Sequence, residues 1–430
     1  MKVYGEGEMN PKTFDAIIVG AGLAGLSCAR RLQAQGADYL LVEASDRVGG
    51  RVKTDVVKGF ILNRGFQVLQ TAYPEAQRFL NYAALGLKAF APGAVFRIDG
   101  RFHTVADPLR APRYVIQTLA APIATLGDRL RMARLNLRLT RAGPEEIHRG
   151  PDIQTPDFLR GEGFSELMIE RFFMPFFSGV CLDPQIKVSS RVFRYIFRMF
   201  AMGDVSIPAR GMEEIPKQIA GAIEPDRLRT GVRVRALKQG TVTLESGEEL
   251  SCRKAVLAVE APEVERLLGF APRTGSLGEH CLYFSAEEPP LREPLLVINA
   301  EGRGPINNLC VPSLVASAYA PAGRSLISVT VIGEHIVSKS NLEEAVRDQL
   351  SEWFGKVANR WELLRAYSIR HALPDQPAPA PDPTVAVGEL RPGIFICGEY
   401  GSLPSIQWAL MSGRLAAEAV LAAAAQQKKL

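Results

Sequence analysis

The chain has 430 residues, 47% hydrophobic and 23% charged, with a formal charge of +5. This composition excludes a disordered chain, the length favours two domains over a single core, and the mild basic excess falls short of the concentrated field of a nucleic-acid binder. Six cysteines (Cys28, Cys181, Cys252, Cys281, Cys310 and Cys397) are scattered without a CxxC pair or metal-ligand spacing. They read as buried small residues in a reducing, cytoplasmic compartment, with no disulfide framework and no metal site.

In chain order, Met1 to Thr13 is polar and lacks a basic stretch followed by an apolar one, so no secretory signal is expected. Phe14 to Val19 is a short apolar, β-branched run, the pattern of a buried parallel strand. Gly20, Gly22 and Gly25 follow in the spacing GxGxxG. The first glycine permits a tight turn, the second lets a pyrophosphate approach the backbone, and the third lets the helix pack on the strand. The phosphate then sits against free N–H groups and the positive end of the helix, which begins at Leu23 and Ala24. That helix is predicted to end at Gly36. A second strand, Asp38 to Val42, delivers Glu43, followed by Ala44, where a carboxylate suits a ribose diol and repels a 2′-phosphate. Strand, glycines, helix, strand and acid in this order carry the dinucleotide reading.

Asp46 to Arg51 (DRVGGR) places Gly49, Gly50, Arg47 and Arg51 just past that acid. Two guanidinium groups there neutralise a diphosphate, which favours FAD over NAD. A solvated turn is the bland alternative for the same residues.

Further on, Arg131, Arg134, Arg138 and Arg141 share one helical face, and Arg191 to Phe200 (RVFRYIFRMF) interleaves arginines with aromatic residues. Such helices either lie in a membrane interface or are core helices with a solvated arginine edge. The run Phe172 to Phe177 is either core or the wall of an apolar channel. Thr241 to Glu245 and Glu249 to Ser251 flank Gly247 as a hairpin, Ala255 to Val259 is a further buried strand, and a helix runs from Pro262 to Leu268. No transmembrane helix is predicted: the alanine-rich C-terminus is interrupted by Arg414 and Glu418.

GAGLAGL…E…RVGGR resembles the opening of the flavoprotein superfamily that includes amine oxidases, protoporphyrinogen oxidases and phytoene or carotenoid desaturases. Gly393 to Tyr400 (GIFICGEY), Ser405 to Ala409 and Ser412 to Arg414 are similar to its closing motif. The resemblance implies an α/β fold: a discontinuous Rossmann-type FAD-binding domain, 1–75, 206–268 and 386–430, and an α+β substrate domain, 76–205 and 269–385, with a helical insert. It implies cofactor contacts at Gly398, Glu399, Ser405, Ile406 and Ala409, with the helix N-terminus near Ser405 stabilising negative charge on the flavin ring. It places Val234 against the adenine, and the Gly59 to Leu69 segment, with Gly65, Phe66 and Gln67, beside the isoalloxazine. Many relatives carry Asp where this chain has Asn63, which leaves Arg64 and Gln67 as candidate polar groups near the ring.

The flavin takes a hydride from a carbon held against it, so the protein must orient the substrate and move a proton. No GxSxG, HExxH or His cluster is present, and His103, His148, His280, His335 and His371 are scattered. His371 is the candidate of interest, because HALP at 371–374 resembles the family's loop before the closing segment. Amine oxidases of the superfamily carry a lysine near flavin N5, yet no lysine lies between Lys254 and Lys339. No cysteine lies between Tyr367 and Ala386 to attach the flavin, so the expected FAD is non-covalent. With a single GxGxxG, reoxidation is expected by oxygen, a quinone or another diffusible oxidant. The favoured reading is dehydrogenation of a hydrophobic small molecule, desaturase- or protoporphyrinogen-oxidase-like. Amine oxidation and flavin-dependent isomerisation without net redox turnover are the alternatives.

Overall fold

The computed structural model describes residues 12–143, 147, 151–270, 275–333, 339–380, 387–398 and 404–427. The chain divides into two compact units. The first comprises the described residues of Met1–Gly50, Pro216–Thr274 and Asp382–Leu430; the second those of Arg51–Ile215 and Gly275–Pro381.

The first unit is built on an eight-stranded sheet. Strand Thr13–Val19 lies at its centre, parallel to Tyr39–Val42 on one side and to Glu249–Leu257 on the other. Tyr39–Val42 and the Ala16 to Val19 part of Thr13–Val19 are apolar and buried on both faces, as a sheet covered on both sides requires. Ile394–Ile396 adds in parallel to the far side of Glu249–Leu257. The hairpin expected around Gly247 forms, and its second arm runs on into the expected buried strand as one nine-residue strand, Glu249–Leu257. It pairs antiparallel with Thr241–Leu244 and then continues parallel to Thr13–Val19. Charged Arg253 and Lys254 make the sequence read as a break. Lys254 is nevertheless buried, its ammonium 5.8 Å from the Phe395 ring centre and 3.9 Å from a Glu389 oxygen.

Helix Leu23–Gln33 packs on this sheet, and helix Ile406–Gln427 packs on that helix. The latter is long and apolar enough to cross a membrane. Its stripe Ala409, Leu410, Ser412, Gly413, Ala416, Ala417 and Val420 is buried at helical spacing. A Cβ on Gly413 would stand 1.9 Å from the Ala24 carbonyl oxygen, so the two helices approach backbone to backbone.

The second unit holds a seven-stranded sheet whose long strands Glu362–Pro374, Ser276–Ala286 and Ser325–Ile332 pair antiparallel. Leu342, Val346, Leu350 and Trp353 of helix Lys339–Phe354 share its core with Phe284, Val297 and Val329. The helical insert reads differently from the expected solvated arginine edge. In helix Ser190–Met202, Arg194 is buried with its guanidinium 5.5 Å from the Phe158 ring centre, while Arg191 and Arg198 are half-buried. Phe173, Phe177 and Phe193 are buried against one another, with ring centres 4.7–6.4 Å apart, which makes this cluster core.

Candidate functional site

In the first unit the glycine loop and the Glu43 turn close on each other. Gly20 has φ +101°, and a Cβ there would meet the Ala258 carbonyl oxygen at 2.6 Å; at Gly25 it would come within 1.9 Å of the Gly20 oxygen. At Gly22 a Cβ would meet only the Gly50 Cα, at 3.9 Å. The first and third glycines are thus fixed by the protein's own packing, while the second leaves room beside Gly50. Gly49 N–H donates to the Ala21 carbonyl at 2.9 Å, so the GG of DRVGGR lies against the GxGxxG turn. Helix Leu23–Gln33 has no side-chain cap and no acid in its first turn, which leaves its N-terminal N–H groups to an anion.

The Glu43 carboxylate is held by two sets of donors. One oxygen accepts from Ala21 N–H at 2.7 Å, the other from Ser45 N–H at 2.9 Å and Ser45 Oγ at 2.6 Å. The oxygen that accepts from Ala21 keeps a lone pair for a ribose hydroxyl. Ala44 is exposed beside it. At the end of Ile394–Ile396, Gly398 N–H donates to Ser412 Oγ at 3.0 Å, and Ser405 Oγ accepts from Trp408 N–H at 3.2 Å as cap of the last helix. Ile406 begins that helix and Ala409 is buried one turn on.

In the second unit, Gly65, Phe66 and Gln67 follow strand Phe60–Asn63. The Gln67 amide nitrogen donates to the carbonyls of Arg51 at 2.9 Å and Arg64 at 3.2 Å, while its buried amide oxygen has no partner among the described residues. Against this segment stands Glu279, on strand Ser276–Ala286. Its side chain is within 2.2 Å of where a Gly65 Cβ would be, and Ile369 Cδ1 within 2.9 Å. Burial pushes its carboxyl up to about 7, against the pull of a hydrogen bond from the Phe66 backbone. The pairing with Glu362–Pro374 slips between Leu277 and Glu279, an irregularity of the kind that re-aims a side chain.

The family model "Flavin containing amine oxidoreductase" matches residues 23–421. This chain belongs to that family. A curated relative, the coproporphyrinogen III oxidase of Propionibacterium freudenreichii, is 28% identical over 170 residues, 38% of this chain and 31% of that protein. The chain matches between 12% and 31% of the length of this relative and the next ones. A solved structure provisionally assigned as a protoporphyrinogen oxidase, from Exiguobacterium sp., superposes with TM-score 0.71 at 17% identity over 96% of this chain and 99% of that one. A putrescine oxidase bound to putrescine superposes with TM-score 0.68 at 16% identity, over 96% and 99%. At these identities the structures establish the fold.

The family's cofactor is FAD, and the residues present fit it. In the first unit, the cradle at Gly22 and Gly50 and the uncapped helix are features a dinucleotide would satisfy; in the second, the orphaned Gln67 oxygen would accept from a ring N–H. Other expected positions have partners within the protein. Val234 is buried, and its carbonyl accepts one hydrogen bond from the Arg266 guanidinium, which leaves its second lone pair. Its neighbour Val232 is the one tied to Glu43, by N–H to carbonyl at 2.8 Å. Arg64 forms a two-pronged pair with Asp55, both contacts 2.9 Å, and Tyr367 donates to the same carboxylate at 2.8 Å, so its charge is neutralised there. His371 is exposed, its Nδ1 2.6 Å from Ser276 Oγ, rather than in a buried site.

Arg51 donates to the Ala372 carbonyl at 2.7 Å, and half-buried Arg47 follows Glu43. Asn63 is structural. Its oxygen accepts from Thr54 Oγ at 2.9 Å and Met212 N–H at 3.0 Å, and its nitrogen faces the Tyr319 hydroxyl at 3.4 Å. An aspartate could not donate to that hydroxyl. Glu399, His148 and His335 lie outside the described residues. Glu279 was missed by the sequence reading, although the one acid in the strand Ser276–Ala286 was its signal.

Proposed function

We propose that this family member dehydrogenates an uncharged, hydrophobic substrate, with Glu279 as the base that receives the departing proton. In this reading Gly20 to Gly25, Glu43 and Gly50 hold the ADP half of FAD, and Gly65 to Gln67 border its ring. The bound FAD supplies the hydride acceptor. One C–H bond of the substrate breaks with its electron pair leaving as hydride. The neighbouring C–H bond breaks with its proton passing to the Glu279 carboxylate, and its electrons form the new double bond. A diffusible oxidant, oxygen or a quinone, then accepts the two electrons.

One observation carries the reading: a buried carboxyl whose affinity for protons is set near neutrality by its apolar surroundings. A base poised there combines a large ionised fraction with adequate basicity. That burial also favours an uncharged substrate, since any charge brought against this carboxyl loses solvation. The same carboxylate would pair with a substrate ammonium, which keeps amine oxidation as the second reading.

The test is anaerobic mixing of the FAD-loaded protein with polyenes and porphyrinogens, and separately with primary and secondary amines, while the flavin absorbance is followed. Bleaching by an apolar substrate is expected, at a rate that rises with pH through about 7 as Glu279 ionises. Glu279→Gln should keep FAD and slow the bleaching by about 10²- to 10⁴-fold. Bleaching by amines alone would reject the apolar substrate, and an unchanged rate in the variant would reject the base.

A further inference from the structure

Between Pro108 and Gly143 the chain carries seven arginines and one acid, Asp128. That acid is fully buried as the third residue of helix Leu126–Arg141, closing a capping box with the N-cap Thr125 and accepting from Thr125 and Ser165. The helix buries Leu135 and Leu139 against the protein. At about 100° per residue, Leu126, Leu130 and Leu137 fall within about 40° of one another on the opposite side. They have no intramolecular reason to be apolar. Leu126 and Leu130, with Leu109 and Ile116 of the preceding segment, are 74–87% exposed, and Leu119 and Leu137 are more than half exposed.

The two helices form one surface. The Arg129 guanidinium donates to the carbonyls of Thr118 at 3.0 Å and Leu119 at 2.9 Å, tying helix Leu126–Arg141 to helix Val115–Ala120, which carries Ile116 and Leu119. On the exposed side Arg134 and Arg141 flank the leucine stripe, are not matched to any carboxylate among the described residues, and are exposed.

We propose that this face docks on an anionic lipid surface. The leucines and Ile116 enter the boundary between headgroups and acyl chains, and Arg134, Arg141 and their neighbours meet lipid phosphates. A surface of large apolar side chains pointing away from the core, rimmed by arginine and with no exposed acid between Pro108 and Gly143, has the chemistry of an interfacial helix. A purely electrostatic partner would leave the leucines unexplained, and a purely apolar one the arginines. This inference does not depend on the identity of the substrate.

The experiment is co-sedimentation of the FAD-loaded protein with vesicles of phosphatidylcholine mixed with phosphatidylglycerol, against vesicles of phosphatidylcholine alone. Binding is expected to the mixed vesicles, weakened by added salt. The double variant Leu126→Glu, Leu130→Glu should lower partitioning at least about tenfold. Each of Arg134→Gln and Arg141→Gln should lower it about fivefold. All four positions are exposed, and retained flavin absorbance verifies that each variant is folded. Equal binding to both vesicle types, no binding, or variants that partition like the parent would overturn the proposal. So would a parent dimer that the leucine pair dissociates while no vesicle is bound, because the face would then serve a second copy of the chain.

Discussion

Burial is the main cause that lifts the Glu279 carboxyl to about 7, because the Phe66 N–H offsets only part of the lost solvation. The sign for stability follows from proton counting. In the unfolded chain the group titrates near 4.5, so between about 4.5 and 7 the folded protein binds the extra proton. The contribution of Glu279 to stability therefore falls as pH rises through that window and is constant above it. Glu279→Gln removes this titration while keeping the shape. The melting temperature of the variant relative to the parent should rise between pH 5 and pH 8. A difference that does not vary with pH would show that the carboxyl is solvated in the folded protein. This residue also marks how far the sequence reaches. Glu43 was legible because its spacing from Gly20 is local and the strand before it is apolar. The environment of Glu279 is made by Gly65 and Ile369, which are remote in the chain, so no window of sequence displays it.

At the scale of elements, the parts read correctly from sequence are those whose signal is local, even where the partner is remote: the strand from Phe14, the glycine turn and helix that follow, and the helix ending at Leu268. The errors have physical sources of the same kind. A buried lysine broke an apparent strand, and Arg194, expected at a solvated edge, is buried beside Phe158. The contact between helices Leu23–Gln33 and Ile406–Gln427 joins the two ends of the chain, and two glycines separate close packing from backbone freedom. Gly413→Val pushes a side chain into the Ala24 carbonyl. It should cost about 1–3 kcal/mol or more and reduce FAD retention, because the displaced helix carries the glycine turn proposed to bind the phosphates. Gly36→Ala meets nothing within 4 Å but sits at φ +68°. It should cost only about 1 kcal/mol through backbone strain and leave FAD content unchanged. Thermal unfolding with the ratio of flavin to protein absorbance measures both; equal FAD loss in the two variants would mean that the helix contact does not set the cradle.

For the whole molecule, a cofactor that binds the folded state alone adds stability by mass action, about 2.7 kcal/mol when free FAD is one hundred times its dissociation constant. The melting temperature of the FAD-stripped protein should rise with the logarithm of added FAD. Glu43 is the position at which to intervene, because its carboxylate does two things at once. It fixes the glycine loop through Ala21 N–H, and it holds the turn that leads to Gly49 and Gly50 through Ser45. Glu43→Gln keeps one acceptor oxygen for these donors but weakens every hydrogen bond that relies on negative charge, by the roughly twofold advantage of charged over neutral acceptors. The variant should melt modestly below the parent without FAD and fall further behind it as FAD is added, with an affinity lower by about tenfold. A variant that melts much lower even without FAD would assign Glu43 to the folding of the loop, and an unchanged FAD response would remove it from the cofactor site altogether.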